Sequence, residues 1–422
     1  MNNRDAQKLL THLYQKGVAS ALAETCLPRC LPKDAPEGRT LILGAGKAAA
    51  EMAKVAAQNL SGDISGLVVT RYGHGVDEAI PKFEVIEAAH PVPDAMSLEA
   101  AARMLALTAT LGPKDRLVFL ASGGGSSLLA SPASGLAFEA KQALMRHLLH
   151  SGATIHDINC VRRHLSTIKG GRLALAAGDA EVFTYVISDV PGDSIHDVAS
   201  GPTVADPTSL ADARAVIIRY GAPDPAAVLE LLSRKENETP SESPRKWHTH
   251  LVANASDCLT AAEKAATAKG LKVINLGPDL EGEARELGTA HARLALERRD
   301  SGVPTLILSG GETTVSVKNP SGAGGRNMEY ALGLTIGLRG AEGIHALAAD
   351  TDGIDGSEDA AGAFLHPDTL TRASASGLLA QAMLDNNLSY RFFAGLDDLL
   401  VTGPTRTNVN DFRAILVNPP EE

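Results

Sequence analysis

Four stretches of the chain place glycine beside hydroxyl or basic side chains directly after a short apolar run. The clearest is Leu117–Ser127, where Leu-Val-Phe-Leu-Ala leads into Ser-Gly-Gly-Gly-Ser-Ser. Glycine lets the backbone adopt positive φ and approach a ligand closely, and successive N–H groups in such a turn form a concave anion site. Similar turns occur at Leu41–Ala49, Thr305–Thr314 and Leu399–Thr407. Their recurrence predicts an enzyme that binds phosphate or carboxylate groups.

The hydroxyl groups in these turns are interpreted as anion ligands and not as nucleophiles, because they are clustered with glycines. A purely steric use of glycine is the alternative for any single turn. The residues of the turns that are predicted to bind substrate or nucleotide are Gly44, Gly46, Ser122, Gly123, Gly124, Gly125, Ser126, Ser127, Gly310, Gly311, Glu312 and Thr313.

Two basic residues accompany these turns at predicted helix starts. Lys47 begins the helix after the first turn, where free N–H donors also attract phosphate. Arg326 lies beside the predicted helix Met328–Leu338, where its charge opposes the helix dipole unless an anion lies between them. Both are candidates for contact with a transferred phosphoryl group, and a solvated surface position is the alternative for each.

Further basic candidates lie outside the turns. The segment Ile158–Leu173, predicted to be helical, is rich in Arg, Lys and His, and its Arg163 and Lys169 are predicted binding residues. His90 lies in the stiff loop His-Pro-Val-Pro-Asp and could contact a ligand or act as a base. A local excess of positive charge in an acidic protein attracts an anionic substrate, whereas a solvated helix face is the alternative.

Carboxylates follow two of the predicted strands. Asp189 and Asp193 come after the apolar run Val182–Ile187, and Asp350 and Asp352 belong to Asp-Thr-Asp-Gly-Ile-Asp-Gly. Mg²⁺ prefers one or two carboxylates combined with substrate phosphates. These four residues are therefore the predicted metal ligands, although Asp is also a common turn former.

The turn Gly44–Ala49 also matches the relaxed dinucleotide pattern G-x-G-x-x-[GA] after a strand. This match makes a nucleotide-dependent dehydrogenase a competing interpretation. The next apolar strand ends at Arg71 and not at the acidic residue that would bind a ribose hydroxyl. An arginine suits a 2′-phosphate, so the alternative stays open.

Short apolar runs of strand length alternate with Ala- and Leu-rich runs of helical spacing. This alternation predicts an α/β architecture with a largely parallel sheet, in which ligands bind beyond the carboxyl ends of the strands. The most polar stretch is Ser233–His248, which contains two prolines and no aliphatic residue. It predicts a first domain over residues 1–235, a linker over 236–248 and a second domain over 249–422.

Composition narrows the class of protein. The 422 residues carry a formal net charge of −11, which argues against nucleic acid as a partner. No run reaches the roughly 18 apolar residues of a membrane helix, and the N-terminus lacks the apolar region of a signal peptide. The expectation is a cytoplasmic protein with no membrane partner. Its four cysteines form no Cys-x-x-Cys pair and are expected to be reduced.

In combination, these stretches resemble the two-domain glycerate 2-kinase family, whose C-terminal part is called the MOFRL domain and whose members are often labelled hydroxypyruvate reductase. The resemblance implies two α/β domains, the N-terminal one a Rossmann-like doubly wound sheet, with the active site in the cleft between them. It also implies D-glycerate, ATP and Mg²⁺ as ligands. The matching runs span nearly the whole chain: Gly44–Ala49, His90–Asp94, Ser122–Ser127, Ile158–Leu173, Ser188–Pro202, Ser309–Thr313, Gly324–Asn327, Asp350–Gly356 and Thr402–Asn410.

The resemblance assigns the family's proposed catalytic lysine and arginine to Lys47 and Arg326. We expect these cations to flank the moving phosphoryl group from opposite domains, while Asp189 or Asp193 holds Mg²⁺ or accepts the hydroxyl proton. Which glycine turn binds ATP and which binds glycerate stays open, as does the choice between a monomer and a homodimer. The alternatives are an NAD(P)H-dependent hydroxypyruvate reductase and a non-catalytic sensor of sugar acids or nucleotides.

Overall fold

A computed structural model describes residues 1–418, which form two compact units. The internal unit is Ala23–Val252, and the terminal unit combines Met1–Leu22 with the chain from Ala253 onward. The strands are β1 (Arg39–Ala45), β2 (Asp63–Arg71), β3 (Phe83–Ala88), β4 (Arg116–Ala121), β5 (Glu181–Ile187), β6 (Trp247–Ala253), β7 (Lys272–Asn275), β8 (Glu281–Glu283), β9 (Thr305–Ser309), β10 (Glu312–Thr314), β11 (Ile344–Asp350), β12 (Gly362–Leu365), β13 (Leu399–Leu400) and β14 (Asp411–Val417).

Helices follow most of these strands, as the alternation of the sequence predicts. No helix within residues 1–418 is long and apolar enough to span a bilayer. The helices are α1 (Asn3–Ala21), α2 (Ala23–Cys26), α3 (Ala49–Asn59), α4 (Ala95–Thr108), α5 (Gly125–Leu128), α6 (Phe138–His150), α7 (Ile155–His164), α8 (Arg172–Ala176), α9 (Leu210–Tyr220), α10 (Pro225–Leu231), α11 (Ala255–Thr267), α12 (Ala284–Asp300), α13 (Arg326–Leu338), α14 (Thr369–Ala375), α15 (Ala380–Asp385) and α16 (Ser389–Ala394), with 3₁₀ turns at Pro191–Asp193, Val198–Ser200 and Lys235–Asn237.

The sheet of the internal unit has the strand order β3-β2-β1-β4-β5-β6. The first five strands in this order pair in parallel, so the chain starts in the middle of the sheet, moves outward, and returns on the other side of β1. This doubly wound order creates a switch point between β1 and β4, where such sheets bind ligands. Ala45 pairs with Ala121. The turns after these two strands therefore lie side by side.

The core of this sheet explains why its strands are continuous apolar runs. Strand β4 is buried along its whole length, as expected for a parallel strand covered on both faces. Helix α3 buries small residues, including Ala49 and Ala53, and α4 begins at a capping box in which Asp94 and Ser97 satisfy each other's backbone N–H groups. These small side chains let the helices lie close to the strands that position the glycine turns.

The sheet of the terminal unit is mostly antiparallel, so the predicted largely parallel sheet is wrong for this half. Its order is β13-β12-β11-β14-β9-β7, and only β7 and β9 pair in parallel. Strands β9 and β11 point the same way, as a crossover through α13 requires. The last strand, β14, lies between them and runs opposite to both. Sequence periodicity identifies each strand, but it does not show that the last strand of the chain lies between two earlier ones.

The compact units also divide the chain differently from the predicted boundaries at 235 and 249. Helix α1 packs in the terminal unit: a Cβ on its Gly17 would lie 2.7 Å from Cys258 Sγ, and Tyr14 donates a hydrogen bond to the carbonyl of Asp350 at 2.9 Å. At the other end, β6 begins at Trp247 and adds to the sheet of the internal unit. Both arrangements depend on partners that are distant in sequence.

Candidate functional site

Lys47 lies in the turn between β1 and α3, and a neighbouring loop holds this turn. Its backbone N–H donates to the carbonyl of Gly123 at 2.8 Å, and the N–H of Ala48 donates to Ser122 Oγ at 3.0 Å. A Cβ on Gly46, whose φ is +140°, would lie 2.2 Å from Ser122 Oγ. Glycine is therefore required here for packing, and the amides that begin the turn are already used inside the protein.

The three-glycine loop after β4 has backbone donors that the protein leaves unused. The N–H of Ser122 donates to Ala45, and that of Gly125 donates back to the carbonyl of Ser122, each at 3.2 Å. For the N–H groups of Gly123 and Gly124, no acceptor is present among residues 1–418. Consecutive donors of this kind form an anion site, which agrees with the prediction for this loop.

His90 and Lys47 meet at the same glycine. A Cβ on Gly124 would lie 3.0 Å from His90 Cδ2 and 3.6 Å from Lys47 Cγ. His90 and Lys47 are half-buried and approach from the loops after β3 and β1. The structure thus brings together three residues that the sequence analysis selected from three separate turns.

A cavity of about 310 Å³ opens next to this glycine, entirely within the internal unit. Its interior is basic and hydroxylic, whereas its outer wall is formed by apolar side chains and the exposed Arg146. Of the predicted binding residues, it includes His90, Gly124, Ser126, Ser127 and Lys169. The full lining is His90, Pro91, Val92, Pro93, Gly124, Ser126, Ser127, Ala130, Phe138, Lys141, Gln142, Met145, Arg146, Leu149, Arg162 and Lys169.

Arg163 does not line the cavity, although the sequence analysis selected it. It is buried, with Nη1 2.8 Å from Asp197 Oδ1 and Nε 2.9 Å from Asp206 Oδ2, so two carboxylates bind its guanidinium. The neighbouring Arg162 lines the cavity instead. Consecutive helical residues point about 100° apart, since a turn has 3.6 residues. The pattern of buried positions in α7 therefore places Arg163 in the core and leaves Arg162 for the cavity. The number of basic residues in the segment does not give this distinction.

Two lysines form the basic interior. Lys141 and Lys169 are 7% and 1% exposed, and their Nζ atoms donate to the carbonyls of Leu165 (2.7 Å) and Ala199 (3.3 Å). Burial lowers the pKa of Lys141 to about 7, and nearby arginines add to this effect. Burial also lowers the pKa of Lys169 well below its ordinary value. The sequence analysis missed Lys141, because it lies alone on an otherwise ordinary amphipathic helix.

Asp189 and Asp193 lie in the loop after β5, beside the strand that precedes the three-glycine loop. The loop makes a tight 3₁₀ turn at Pro191–Asp193, and Asp193 adopts a positive φ of +55°. Neither residue lines the cavity. Their predicted roles with Mg²⁺ or a proton stay predictions.

In the terminal unit, Arg326 is the first residue of α13 and is bound by three carboxylates. Its Nε lies 2.7 Å from Asp411 Oδ1, Nη2 lies 3.0 Å from Asp350 Oδ2, and Nη1 lies 2.9 Å from Glu312 Oε1. Burial disfavours its charge, but these carboxylates outweigh that effect and raise the pKa of Arg326 well above its ordinary value. The anion that a basic residue at this helix start requires is therefore supplied by the protein itself.

Asp411, which the sequence analysis missed, is the centre of this network. It is 2% exposed and also accepts hydrogen bonds from Arg413 and from Asn327 Nδ2, the latter at 2.7 Å. It pairs with Asp350 across β11 and β14. The inserted strand β14 brings Asp411 to the edge where β9 and β11 end. The selected run Thr402–Asn410 stops one residue before it.

Asp350 and Asp352 have oxygens that are already engaged. Asp350 Oδ1 accepts the backbone N–H of Asp352 at 3.0 Å and its Oδ2 faces Arg326, while Asp352 Oδ1 accepts the N–H of Ile354 at 2.9 Å. Within residues 1–418, no group of three or more His, Cys, Asp or Glu side chains is arranged to hold a metal ion. Asp350 belongs to the ion-pair network of Arg326, and the predicted role of the two residues with Mg²⁺ stays a prediction.

In the Ser-Gly-Gly turn after β9, backbone N–H groups are also bonded within the protein. The N–H of Gly310 donates to Gly277 at 2.9 Å, and that of Glu312 donates to Leu280 at 3.0 Å. A Cβ on Gly311, with φ of +112°, would lie 2.0 Å from the carbonyl oxygen of Leu280. This turn uses the amides of Gly310 and Glu312 and the close approach at Gly311 to pack against its own unit.

Two family models match the chain: the domain of unknown function DUF4147 over residues 9–233 and the MOFRL family over residues 305–411. The D-glycerate 2-kinase of Thermotoga maritima is 39% identical over 410 residues, which cover 96% of this chain and 97% of that protein. The chain belongs to the glycerate 2-kinase family. A crystal structure of a Thermotoga maritima glycerate kinase has a TM-score of 0.87 at 38% identity, covering 98% of this chain and 100% of that chain.

A relative from Agrobacterium vitis has a different name. A protein of Agrobacterium vitis called a hydroxypyruvate reductase is 50% identical over 422 residues, 99% of this chain and 95% of that protein. The predicted family, the α/β fold with a Rossmann-like first sheet, and the kinase class are confirmed.

Proposed function

We propose that this protein transfers the γ-phosphoryl group of ATP to the 2-hydroxyl of D-glycerate, giving 2-phosphoglycerate and ADP. The observation that carries the proposal is the identity of 39% to a D-glycerate 2-kinase across nearly the full length of both chains. The unused amides of the three-glycine loop, beside Lys47 and His90, add a site suited to an anionic ligand.

The reaction needs positioning and charge neutralisation more than covalent chemistry. The hydroxyl oxygen attacks the γ-phosphorus, the bond from that phosphorus to the bridging oxygen breaks, and the hydroxyl proton passes to a base. We assign Lys47 to the negative charge that spreads over the moving group. Asp189 and Asp193 are the candidates for accepting the proton and for holding Mg²⁺, which would neutralise the phosphates when bound.

Arg326 is the second proposed cation of the transition state. Three carboxylates already bind its guanidinium, so its loss would affect folding as well as turnover. A test of its catalytic role therefore needs a variant that keeps the fold without restoring the cation.

The reductase alternative is supported by the name of the Agrobacterium vitis relative and by the Gly44–Ala49 pattern. In a dinucleotide turn the amides at the helix start face the pyrophosphate. Here the N–H groups of Lys47 and Ala48 are bonded to Gly123 and Ser122. This observation favours the kinase.

The deciding experiment mixes the purified protein with D-glycerate, ATP and Mg²⁺ and resolves the products by ³¹P NMR. A 2-phosphoglycerate resonance is the expected result, whereas 3-phosphoglycerate would contradict the proposed position of transfer. Absence of phosphorylated product, together with loss of 340 nm absorbance when hydroxypyruvate and NAD(P)H are supplied, would make the protein a reductase.

The assignment of Lys47 is tested by Lys47→Met, with Lys47→Arg as the charged control. Loss of a cation that acts in the transition state lowers kcat more than it raises KM. We expect a loss of at least ~100-fold in kcat for the neutral variant, in line with the removal of one preorganised charge-stabilising donor. Unchanged kcat would remove Lys47 from the mechanism.

We also propose a cytoplasmic location, and the choice between a monomer and a homodimer stays open. Light scattering coupled to size-exclusion chromatography measures the assembly directly: a mass near 43.9 kDa indicates a monomer, and twice that mass a homodimer.

A further inference from the structure

We propose that the cavity of the internal unit is the nucleotide site. The adenine base lies against its apolar outer wall, and the phosphates lie on its basic interior and on the three-glycine loop. This inference rests on the proposed kinase function and assigns ATP to one of two candidate glycine turns that the sequence leaves undecided.

The first argument is charge. Lys141, Lys169 and Arg162 line the cavity, and none of them forms an ion pair with a carboxylate among residues 1–418. The neighbouring Arg163, by contrast, is bound by Asp197 and Asp206. Burial with no carboxylate beside them lowers the pKa of both lysines, so this interior lacks the negative charge that would keep them protonated. A polyphosphate would supply it.

The second argument is the donors of the loop. The N–H groups of Gly123 and Gly124 have no acceptor within residues 1–418, and Ser126 and Ser127 place hydroxyls on the same cavity. Backbone amides and hydroxyls beside basic side chains are typical of phosphate sites. Because Gly124 also borders Lys47, a phosphate on this loop lies next to the proposed transition-state cation.

The third argument is the apolar wall. Phe138, Met145, Leu149 and Val92 line the cavity, and the last two are 57% and 53% exposed. The volume of about 310 Å³ falls at the lower end of pockets that hold drug-sized ligands. Glycerate has three carbons, two hydroxyls and a carboxylate, so it would leave this wall uncovered. A purine covers it.

The test measures binding of ADP by isothermal titration calorimetry on the full chain, without turnover. Leu149→Ser removes an apolar contact at the wall, and Lys141→Met removes a buried cation. Ile218→Ser is the matched control, because Ile218 is 72% exposed in the same unit and lies outside the cavity. We expect ADP to bind about 5-fold more weakly to Leu149→Ser and at least ~10-fold more weakly to Lys141→Met. The control should bind like the parent.

Tripolyphosphate separates the two parts of the site. Its binding should fall in Lys141→Met and stay unchanged in Leu149→Ser, because it has phosphates but no base. Equal loss of tripolyphosphate binding in both variants would contradict the assignment of the base to the wall. Since Leu149 and Ile218 are surface residues, their replacement leaves the fold intact and keeps the comparison valid.

Steady-state kinetics then distinguishes an incorrect nucleotide site from an incorrect kinase function. The expected result is a raised KM for ATP in Leu149→Ser with an unchanged KM for D-glycerate. A raised KM for D-glycerate with unchanged ADP binding would overturn the nucleotide site and leave the kinase standing. ADP could bind more weakly to Leu149→Ser and Lys141→Met, as expected, while the parent protein forms no phosphoglycerate. This result would refute the proposed function and support the nucleotide site. A parent protein that binds no ADP would overturn the site outright.

Discussion

Replacement of Arg326 by methionine separates structure from catalysis at the helix start of α13. The side chain of Arg326 is 22% exposed, whereas its partners Asp350 and Asp411 are 8% and 0% exposed at their side chains. Methionine fills similar space but leaves these carboxylates without one cation. The variant therefore tests a charge and not a cavity.

The magnitude follows from what each carboxylate keeps. Removing one partner of a buried ion pair costs about 3–5 kcal/mol, because an unpaired charge remains buried. Asp411 retains Arg413 and Asn327, Asp350 retains the backbone N–H of Asp352, and Glu312 is 45% exposed and regains water. The remaining contacts offset part of this cost. We expect Arg326→Met to lower the free energy of unfolding by about 2–4 kcal/mol. For a unit of this size each kcal/mol lowers Tm by roughly 2–4 °C.

The assay is thermal unfolding followed by circular dichroism, with Arg326→Met/Asp350→Asn as the paired variant. Asparagine removes one of the carboxylate charges that faced Arg326 and should recover part of the lost stability. Equal Tm values for the parent and Arg326→Met would refute the ion-pair reasoning. If the double variant folds and lacks turnover while Asp350→Asn alone keeps it, Arg326 acts in catalysis. Parental kcat in the double variant would confine Arg326 to structure.

Three further predictions concern other parts of the two units. Gly46→Ala should cost about 2–5 kcal/mol from positive φ and overlap with Ser122. Gly178→Ala, with φ of +59° and open space, should cost only about 1–2 kcal/mol, and equal melting of both variants would contradict the packing argument. Burial raises the pKa of Asp355 to about 6, so the native state binds the proton more tightly than the unfolded state. As the pH rises from 4 to 6, the parent should lose about 3 kcal/mol of unfolding free energy relative to Asp355→Asn. Urea titrations that show the same difference in unfolding free energy between the two proteins at both pH values would contradict this. If the cavity binds ATP, the KM for ATP should rise as the pH passes about 7, where Lys141 loses its proton. Lys141→Arg should flatten that rise in the same assay, because arginine stays charged while the titration of ATP is common to both enzymes.

The sequence alone identified the features that depend on neighbouring residues. Apolar runs that end in glycine predicted the strands and the turns after them, because strand burial and positive φ are local requirements. The same runs, taken together, indicated the family. The parallel sheet of the internal unit followed from alternating strands and helices, and with it the placement of its glycine turns at the carboxyl ends of the strands.

The tertiary structure decided which charged groups meet. Arg162 and Arg163 are adjacent in sequence, yet the packing of α7 sends one to the cavity and the other to two buried carboxylates. Strand β14 enters between β9 and β11 and brings Asp411 to Arg326 across 85 residues. Such contacts join elements far apart in the chain, and sequence periodicity describes each element without its partners. The order of strands in a sheet is set by how whole elements pack, and that packing determines which buried charges are paired and which still require a ligand.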